Sequence, residues 1–305
     1  LFARIEEIAE KLCFSFYKGS LKKKKTFMKL LKECANFKED YKLIYKHFFM
    51  SKFCRIKLTP EEISSFIDKK VLNYEDSILL AYLKGMLSGF SYEQSIKQVV
   101  IDEAQDYTTL QYIIISKIFK KASFTILGDV NQNINPYYKH ETLEDLMQIF
   151  PCSKYIELQK TYRSSKEIID YTNKILGLNH VTAIRRENSK PVIYRSNISN
   201  LKKTILDDLN VLSLEYLKMA IIAKDHYIAT KLYNTIKNDI NVSLINDNTK
   251  GINSDLVIIP AYLAKGLEFD CVIIYNDPLS KYKRNEKNLL YVACTRAQHE
   301  LYIYN

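Results

Sequence analysis

The sequence predicts an α/β protein in which parallel, helix-covered sheets follow a helical region. Three observations predict this class. Apolar residues recur at helical spacing up to about residue 95, short β-branched runs alternate with helical patterns from residue 98 onward, and 305 residues are enough for two cores. Strands alternate with helices in parallel sheets because each parallel connection needs a crossover. We therefore predict a helical basic region at 1–95, a first sheet domain at 96–150 and a second at 151–305.

The helical region shows apolar residues three and four positions apart, as in Ile5, Ile8 and Leu12. Thr59-Pro60-Glu61-Glu62 is typical of a helix start, because threonine caps helices and proline suits the first helical position. The predicted strands are 98–101, 123–127, 154–158, 191–195, 219–223, 242–245, 255–259, 271–275 and 300–304. The predicted helices of the later region are 108–119, 143–149, 165–176, 199–216, 225–238 and 286–295.

Composition indicates a folded protein without a membrane anchor. Hydrophobic residues make up 47% and charged residues 26% of the chain. No apolar run approaches the roughly 18 residues of a membrane span, and the amino-terminal residues lack the order of a signal peptide. Six cysteines are scattered without a C-x-x-C pair, and Cys271 and Cys294 lie in apolar segments. We therefore expect a cytoplasmic protein with no membrane partner and with free buried thiols instead of disulfides or zinc.

Positive charge is concentrated near the amino terminus. The net charge is +10, and residues 1–60 hold 15 basic against 6 acidic residues, whereas the remainder holds 30 against 29. Four consecutive lysines, Lys22, Lys23, Lys24 and Lys25, lie between aromatic residues. Lysines interleaved with aromatic rings suit a nucleic-acid backbone with some base stacking. A solvated helix face is the alternative interpretation.

The apolar run Val99-Val100-Ile101 is followed by two adjacent acids, Asp102 and Glu103. In nucleotide-hydrolysing α/β proteins, acids at a strand tip serve Mg²⁺ and water, and ligands bind at the carboxyl ends of parallel strands. We expect a strand at 98–101 that is buried on both faces. Asp102 would hold the metal through water, and Glu103 would orient the attacking water. An acidic first helical turn is the alternative.

A second predicted strand, 123–127, ends in a turn that contains Gly128 and Gln132. Glycine permits a tight exit from a strand, and Gln132 could donate to a terminal phosphate or bond the attacking water. Two arginines follow later elements: Arg163 precedes a helix capped by Ser164 or Ser165, and Arg296 ends an apolar helix. Because a guanidinium clamps phosphate oxygens through two parallel donors, both arginines suit phosphoryl transfer.

Five segments, in this order, resemble motifs of superfamily 1 helicases of the UvrD/Rep type. The resemblance implies RecA-like nucleotide-hydrolysing sheets: the remainder of domain 1A at 96–150, domain 2A at 151–305, and a 1B-like region or 1A insertion before them. The matching segments are IDEAQD at 101–106 (motif II, Walker B), LGDVNQNI at 127–134 (motif III), LQKTYRSS at 158–165 (motif IV), YLAKGLEFD at 262–270 (motif V) and LLYVACTRA at 289–297 (motif VI).

The resemblance implies ATP and Mg²⁺ as cofactors and a role for each catalytic candidate. Asp102 would serve Mg²⁺, Glu103 would activate water, and Gln132 would sense the γ-phosphate. Arg163 and Arg296 would act as arginine fingers. In the motor, the two sheet domains would close around ATP and bring both arginines to the γ-phosphate.

Further residues match positions that bind nucleotide or nucleic acid in the family. Tyr162 would stack on adenine, and Glu268 would contact the ribose or the phosphates. An ordinary half-buried tyrosine is the alternative for Tyr137 and Tyr162. The candidates for nucleotide binding are Tyr162, Lys265, Gly266 and Glu268. The candidates for a single-stranded DNA track are Tyr137 and Tyr262.

Two departures from the family pattern shape the prediction. No G-x-x-x-x-G-K-[ST] phosphate loop occurs in the sequence. Because the chain opens at Leu1, we expect the C-terminal part of a longer helicase, with little or no ATPase of its own; a degenerate relative that does not hydrolyse ATP is the alternative. The short spacing from motif IV to motif VI resembles the helicase IV/HelD branch.

We therefore predict an ATP-dependent DNA helicase or translocase motor that acts on single-stranded or tailed duplex DNA. One alternative is a HelD-like factor that uses ATP to remodel or recycle RNA polymerase. The other is a non-catalytic scaffold that binds nucleic acid.

Overall fold

The computed structural model divides the chain into two compact units. Unit 1 comprises residues 1–127 and 144–153, and unit 2 comprises residues 128–143 and 154–305. Tyr137 and the four lysines at 22–25, for which we predict contacts with nucleic acid, lie outside the described residues. The structure describes residues 42, 45, 46, 50, 59–67, 72–135, 138, 140–178, 181–184, 190, 192–196, 200–252, 254–278 and 280–305.

In its described ranges 59–67 and 72–97, unit 1 contains two helices. Helix α1 spans Pro60–Ile67 and helix α2 spans Tyr74–Ser88. The predicted helix start is confirmed, since Glu62 N donates to Thr59 Oγ1 at 3.2 Å and Thr59 N donates to Glu62 Oε2 at 2.7 Å. These reciprocal bonds satisfy backbone donors that a helix end leaves without partners.

The sheet of unit 1 is a parallel pair. Strand β1, Gln98–Ile101, pairs in register with β2, Ser123–Ile126, and helix α3, Thr109–Ile118, connects them. Thr108 caps α3 in a capping box with Gln111. Because the strands are parallel, residues 102 and 127 lie at the same edge of the sheet.

The prediction that β1 is buried on both faces is wrong. Val100 is 61% exposed, whereas Ile101 is 6% exposed. Side chains alternate between the faces of a strand, so one face of β1 is packed and the other faces solvent. Within the described residues β1 pairs with β2 alone, and this two-stranded sheet packs on one face.

Unit 2 contains a six-stranded parallel sheet and a separate parallel pair. Among the described residues the order in the large sheet is β5-β10-β9-β6-β8-β7, and β3 pairs with β4. The strands are β3 Lys160–Thr161, β4 Thr182–Ala183, β5 Ile193–Arg195, β6 Met219–Ala223, β7 Ser243–Leu244, β8 Leu256–Pro260, β9 Phe269–Tyr275 and β10 Ala297–Tyr304.

Both faces of the large sheet are packed with apolar side chains. Ile221 of β6 contributes to the cluster on one face, and the next residue, Ile222, contributes to the cluster on the other. This burial on both faces is why β6, β8 and β9 read as continuous apolar runs. The helices of unit 2 are α4 Lys166–Leu176, α5 Leu201–Leu212, α6 His226–Ile236 and α7 Lys287–Cys294.

The structure confirms the mixed α/β class with parallel sheets, and it differs from the prediction in several elements. The segment 154–158 forms no strand; Ile156 and Leu158 are 66% and 84% exposed, so no packing holds the segment in a sheet. Strands β3 and β4 were not predicted. The segment Glu144–Gln148 is a 3₁₀ helix, and α5 ends at Leu212 because the chain turns there toward β6.

The structure also bears on the predictions for the cysteines and for the serine cap of α4. Cys271 and Cys294 are buried free thiols, as predicted, and burial raises the pKa of both. Ser165 is the residue before α4, but its side chain makes no capping hydrogen bond; its carbonyl accepts from Ile169 N at 3.1 Å. Among the helices of the described residues, none combines the length and the hydropathy of a membrane span.

Candidate active site

The acidic turn, Asp102 to Asp106, follows β1 directly. Asp102 is exposed, and its Oδ1 accepts from Glu103 N at 2.8 Å. Glu103 has φ 49° and ψ 43°, a left-handed conformation that is uncommon for a non-glycine residue. Gln105 Nε2 donates to Glu103 Oε2 at 2.5 Å, which orients this carboxylate. The start of the turn therefore presents the exposed carboxylate of Asp102 and the oriented carboxylate of Glu103 at the carboxyl edge of the sheet.

The acidic turn is anchored by bonds to its backbone. Ala104 N donates to Leu127 O at 2.9 Å, and the hydroxyl of buried Tyr112 donates to Ala104 O at 2.5 Å. The following helix takes its cap from Thr108, and Glu103 makes no capping bond with its side chain. The two acids at 102 and 103 are thus not used to start helix α3.

The acidic turn suits a Mg²⁺ ion that keeps most of its waters, not a metal ion enclosed by several protein ligands. Among the described residues, no group of three or more His, Cys, Asp or Glu side chains could hold a metal ion. Magnesium usually keeps several waters and takes one or two carboxylates together with phosphate oxygens. An exposed carboxylate such as Asp102 fits that mode of binding.

The turn that contains Gln132 belongs to unit 2. Asp129 caps a short 3₁₀ helix, Val130–Gln132, since its Oδ1 accepts from Asn131 N at 2.9 Å. Its Oδ2 accepts from Gln132 Nε2 at 3.0 Å. Arg296 Nη2 in turn donates to Gln132 Oε1 at 3.0 Å. The amide of Gln132 is therefore held at both ends, by a carboxylate and by a guanidinium.

Arg296 is a buried cation at the end of α7, only 1% exposed. Its Nε donates to Val292 O at 3.0 Å, its Nη1 to Leu267 O at 3.3 Å, and its Nη2 to Thr295 Oγ1 at 3.1 Å. These bonds fix the plane of the guanidinium. A buried charge needs such partners, because desolvation alone would be very costly.

Arg163 lies on the surface of the same unit. Its Nε is 2.7 Å from Glu268 Oε1, and both side chains are about two-fifths exposed. Glu268 Oε2 also accepts from Gln298 Nε2 at 2.6 Å. Ser164 Oγ donates to Ala297 O at 2.6 Å, which attaches this segment to the residue after Arg296. The arginine cluster, defined as Gln132, Arg163, Glu268 and Arg296, is thus assembled from four distant segments.

The other candidates are placed less specifically. Tyr162 is 73% exposed, so its ring is accessible for stacking. Lys265 is half-buried, and Gly266 has φ +79°, which glycine adopts without strain. Tyr262 is 36% exposed, and its hydroxyl donates to Asp247 Oδ2 at 3.1 Å. Burial and this hydrogen bond raise the pKa of Tyr262.

Sequence reasoning missed two residues that support the cluster. Asp129 holds the amide of Gln132, and Asn288 Nδ2 donates to Asn131 O at 2.9 Å. A usable signal for Asn288 exists, because it lies four positions before Val292 on one face of α7, and Val292 O accepts from Arg296 Nε. Nothing local distinguishes Asp129 from an ordinary turn residue.

Comparison with known families gives two matches. The family model of the UvrD/REP helicase N-terminal domain matches residues 7–141, and that of the UvrD-like helicase C-terminal domain matches residues 255–304. Together the two models cover more than half of the chain.

Individual relatives match over shorter stretches. The ATP-dependent DNA helicase Rep of Escherichia coli is 32% identical over 115 residues, which are 36% of this chain and 17% of that protein. The ATP-dependent DNA helicase srs2 of Schizosaccharomyces pombe is 25% identical over 130 residues, 42% of this chain and 14% of that protein. The chain therefore matches less than a fifth of the length of these relatives.

Among solved structures, the C-terminal domain of a possible DNA helicase from Lactobacillus plantarum is 30% identical, with a TM-score of 0.39. The alignment covers 47% of this chain and 86% of that chain. The PRRSV helicase is 17% identical with a TM-score of 0.40, and the alignment covers 68% of this chain and 35% of that chain.

Proposed function

Because the chain belongs to the UvrD-like helicase family, as its motifs predicted, we propose that it is part of an ATP-dependent DNA helicase or translocase motor. The observation that carries this proposal is the hydrogen bond between Arg296 and Gln132 at 3.0 Å. It joins a glutamine and an arginine to which the resemblance to helicase motifs gives roles at the γ-phosphate. The assignment to the helicase IV/HelD branch stays a prediction.

The Arg296–Gln132 pair supports phosphate chemistry because it is held in place before any ligand binds. Donors that are fixed in advance stabilise developing negative charge without reorganising at the moment of reaction. Backbone carbonyls and Thr295 orient Arg296, and Asp129 orients Gln132. We assign Arg296 and Gln132 to the terminal phosphate, and the more exposed Arg163 to the same phosphate as a second finger.

The remaining roles follow the chemistry of each side chain. Mg²⁺-ATP supplies the phosphoanhydride bond whose hydrolysis drives movement. Asp102 would hold the metal through water, and Glu103, oriented by Gln105, would orient the attacking water. Tyr162 would stack on the base. Lys265, Gly266 and Glu268 would contact the ribose or the phosphates, and Arg163 would leave Glu268 when it engages a phosphate.

The proposed partner is single-stranded or tailed duplex DNA, which fits the names of the relatives as DNA helicases. Tyr262 is the described residue that we assign to the DNA track. Two alternatives stay predictions: a factor that remodels RNA polymerase, and a non-catalytic scaffold. We propose a cytoplasmic location.

The test uses the whole chain and two readouts. Binding of a fluorescent ATP analogue with Mg²⁺ should be measurable and should weaken about tenfold in Arg163→Gln, since a charged hydrogen bond contributes about 1.5–3 kcal/mol. Lys174→Gln, an exposed change of equal charge on α4, should leave the affinity unchanged. Failure to bind both the analogue and a single-stranded oligonucleotide would overturn the proposal.

A measurement of ATP hydrolysis tests separately what the lack of a phosphate-loop motif in this sequence implies. Because the sequence contains no G-x-x-x-x-G-K-[ST] segment, the chain alone should release little or no phosphate from ATP, with or without DNA. Robust hydrolysis would contradict that expectation, while leaving the assignment to a helicase motor intact.

A further inference from the structure

Four exposed lysines gather at the amino edge of the β1–β2 sheet. Lys97 precedes β1, Lys117 is in the last turn of α3, and Lys120 and Lys121 lie in the connection to β2. Ser123 N donates to Lys97 O at 2.8 Å, so the starts of both strands adjoin. We call these four residues the basic edge.

Tyr92 organises part of the basic edge. Lys120 Nζ and Lys121 Nζ lie 5.8 and 6.0 Å from the centroid of its ring. The neighbouring residue fixes this segment, since Glu93 N donates to Ile118 O at 3.0 Å at the end of α3. Two ammonium groups therefore share one aromatic ring, which helps to hold them near each other despite their repulsion.

The charge of the basic edge is not neutralised within the described part of the chain, where none of its four lysines has an ion pair. The adjacent acid, Glu93, is engaged elsewhere: its Oε1 accepts from Ser95 N at 2.9 Å and from Ser95 Oγ at 2.7 Å. The negative end of a helix dipole accounts for Lys117 alone. It does not account for Lys97 or for the pair over Tyr92.

We propose that the basic edge binds the phosphate backbone of duplex DNA. It lies at the opposite end of the strands from Asp102, about 16 Å away at a rise of about 3.3 Å per residue, so it is separate from the acidic turn. The contact goes beyond the proposed motor site, although it rests on DNA as the partner.

We favour duplex DNA over a single strand because residues 90–123 expose no aromatic ring on which bases could stack. Single-strand sites combine positive charge with aromatic side chains on which bases stack. The ring of Tyr92 is contacted by two lysines, and within 90–123 every aromatic side chain is buried or half-buried. A duplex instead offers a dense row of phosphates that lysines contact without reading the sequence.

The experiment compares two variants of the whole chain that remove the same charge. The basic-edge variant changes Lys97, Lys117, Lys120 and Lys121 to glutamine. The control variant changes four exposed lysines of unit 2 to glutamine. These are Lys166, Lys174, Lys203 and Lys250.

Fluorescence anisotropy with a labelled 20-base-pair duplex at several KCl concentrations gives affinity and salt dependence. For the basic-edge variant we expect at least a tenfold loss at low salt, and a log–log slope smaller by up to about 3.6, or about 0.9 for each phosphate that is no longer neutralised. The control variant should stay within about threefold of the unaltered chain, because its lysines make no specific contact. A variant with arginine at all four basic-edge positions should restore binding, which separates loss of charge from loss of fold.

Each of the following results would overturn the inference. Equal losses in both variants would show that only overall charge matters. A loss for oligo-dT as large as for the duplex would assign the basic edge to a single strand. Reduced sedimentation with phosphatidylserine vesicles, with duplex binding unchanged, would assign it to a membrane surface. If the unaltered chain bound no DNA, the proposed function would fail too, whereas normal binding by the basic-edge variant would refute this inference alone.

Discussion

Arg296→Ala should destabilise unit 2 by about 3–5 kcal/mol, because it leaves several buried neutral acceptors without their charged donor. The structure supports that magnitude, because Arg296 is 1% exposed and donates to Val292 O, Leu267 O and Gln132 Oε1 at 3.0–3.3 Å. Bonds from a charged donor contribute about 1.5–3 kcal/mol each, and they are not additive. The sum of the separate bonds is therefore an upper limit.

Arg163→Ala is the matched control, because sequence reasoning assigns both arginines the same chemistry. Its partner Glu268 is 2.7 Å away, but both side chains are about two-fifths exposed. Solvent screening reduces such a pair to about 0–1 kcal/mol. The two substitutions should thus differ several-fold in their effect on the free energy of unfolding.

The assay is urea denaturation of the whole chain, followed by far-ultraviolet circular dichroism. The transition of unit 2 should move to lower urea in Arg296→Ala and stay near its original position in Arg163→Ala. The slope of free energy against urea should not change, because the surface exposed on unfolding is the same. Equal, small shifts in both variants would refute the reasoning that the hydrogen bonds of buried Arg296 stabilise unit 2.

Two further predictions concern the same unit. Asn288→Asp removes the amide donor that holds Asn131 O, so affinity for the ATP analogue should fall by about three- to tenfold with a stability loss of about 1 kcal/mol; unchanged nucleotide affinity would argue against a positioning role. Burial raises the pKa of Asp208, but hydrogen bonds from Arg195 and a tyrosine hydroxyl outweigh burial and lower it overall. Because the folded pKa is the lower one, this stabilisation is present above the unfolded pKa, about 3.9, and is lost as pH falls through the folded value. Urea midpoints between pH 2.5 and 6 should therefore depend less on pH in Asp208→Asn, and an unchanged profile would contradict the assignment.

The strands β6, β8 and β9 of the large sheet were predictable because they are buried on both faces. Met219–Ala223 is a strand with the predicted bounds, and all five of its residues are buried. The segment 154–158 has similar β-type residues but lies exposed without a strand partner. Periodicity reports that a segment could be a strand, whereas pairing depends on what packs beside it.

The order of the motifs in the sequence is enough to identify Gln132, Arg163, Glu268 and Arg296 as candidate site residues. Their environments were not predictable in this way. Arg163 and Arg296 look alike in sequence, yet one is part of a surface ion pair and the other is buried. The supporting residues Asp129 and Asn288 emerged only from hydrogen bonds across the fold.

Sequence alone determined the α/β class, the family and the chemical groups at each motif, because these depend on residue type and short-range pattern. Tertiary structure decided which groups meet and how far each is removed from water. The bond from Arg296 to Gln132 joins residues 164 positions apart. No local pattern specifies such a contact, since it forms only when the packing of the sheet and its helices brings both residues to one place.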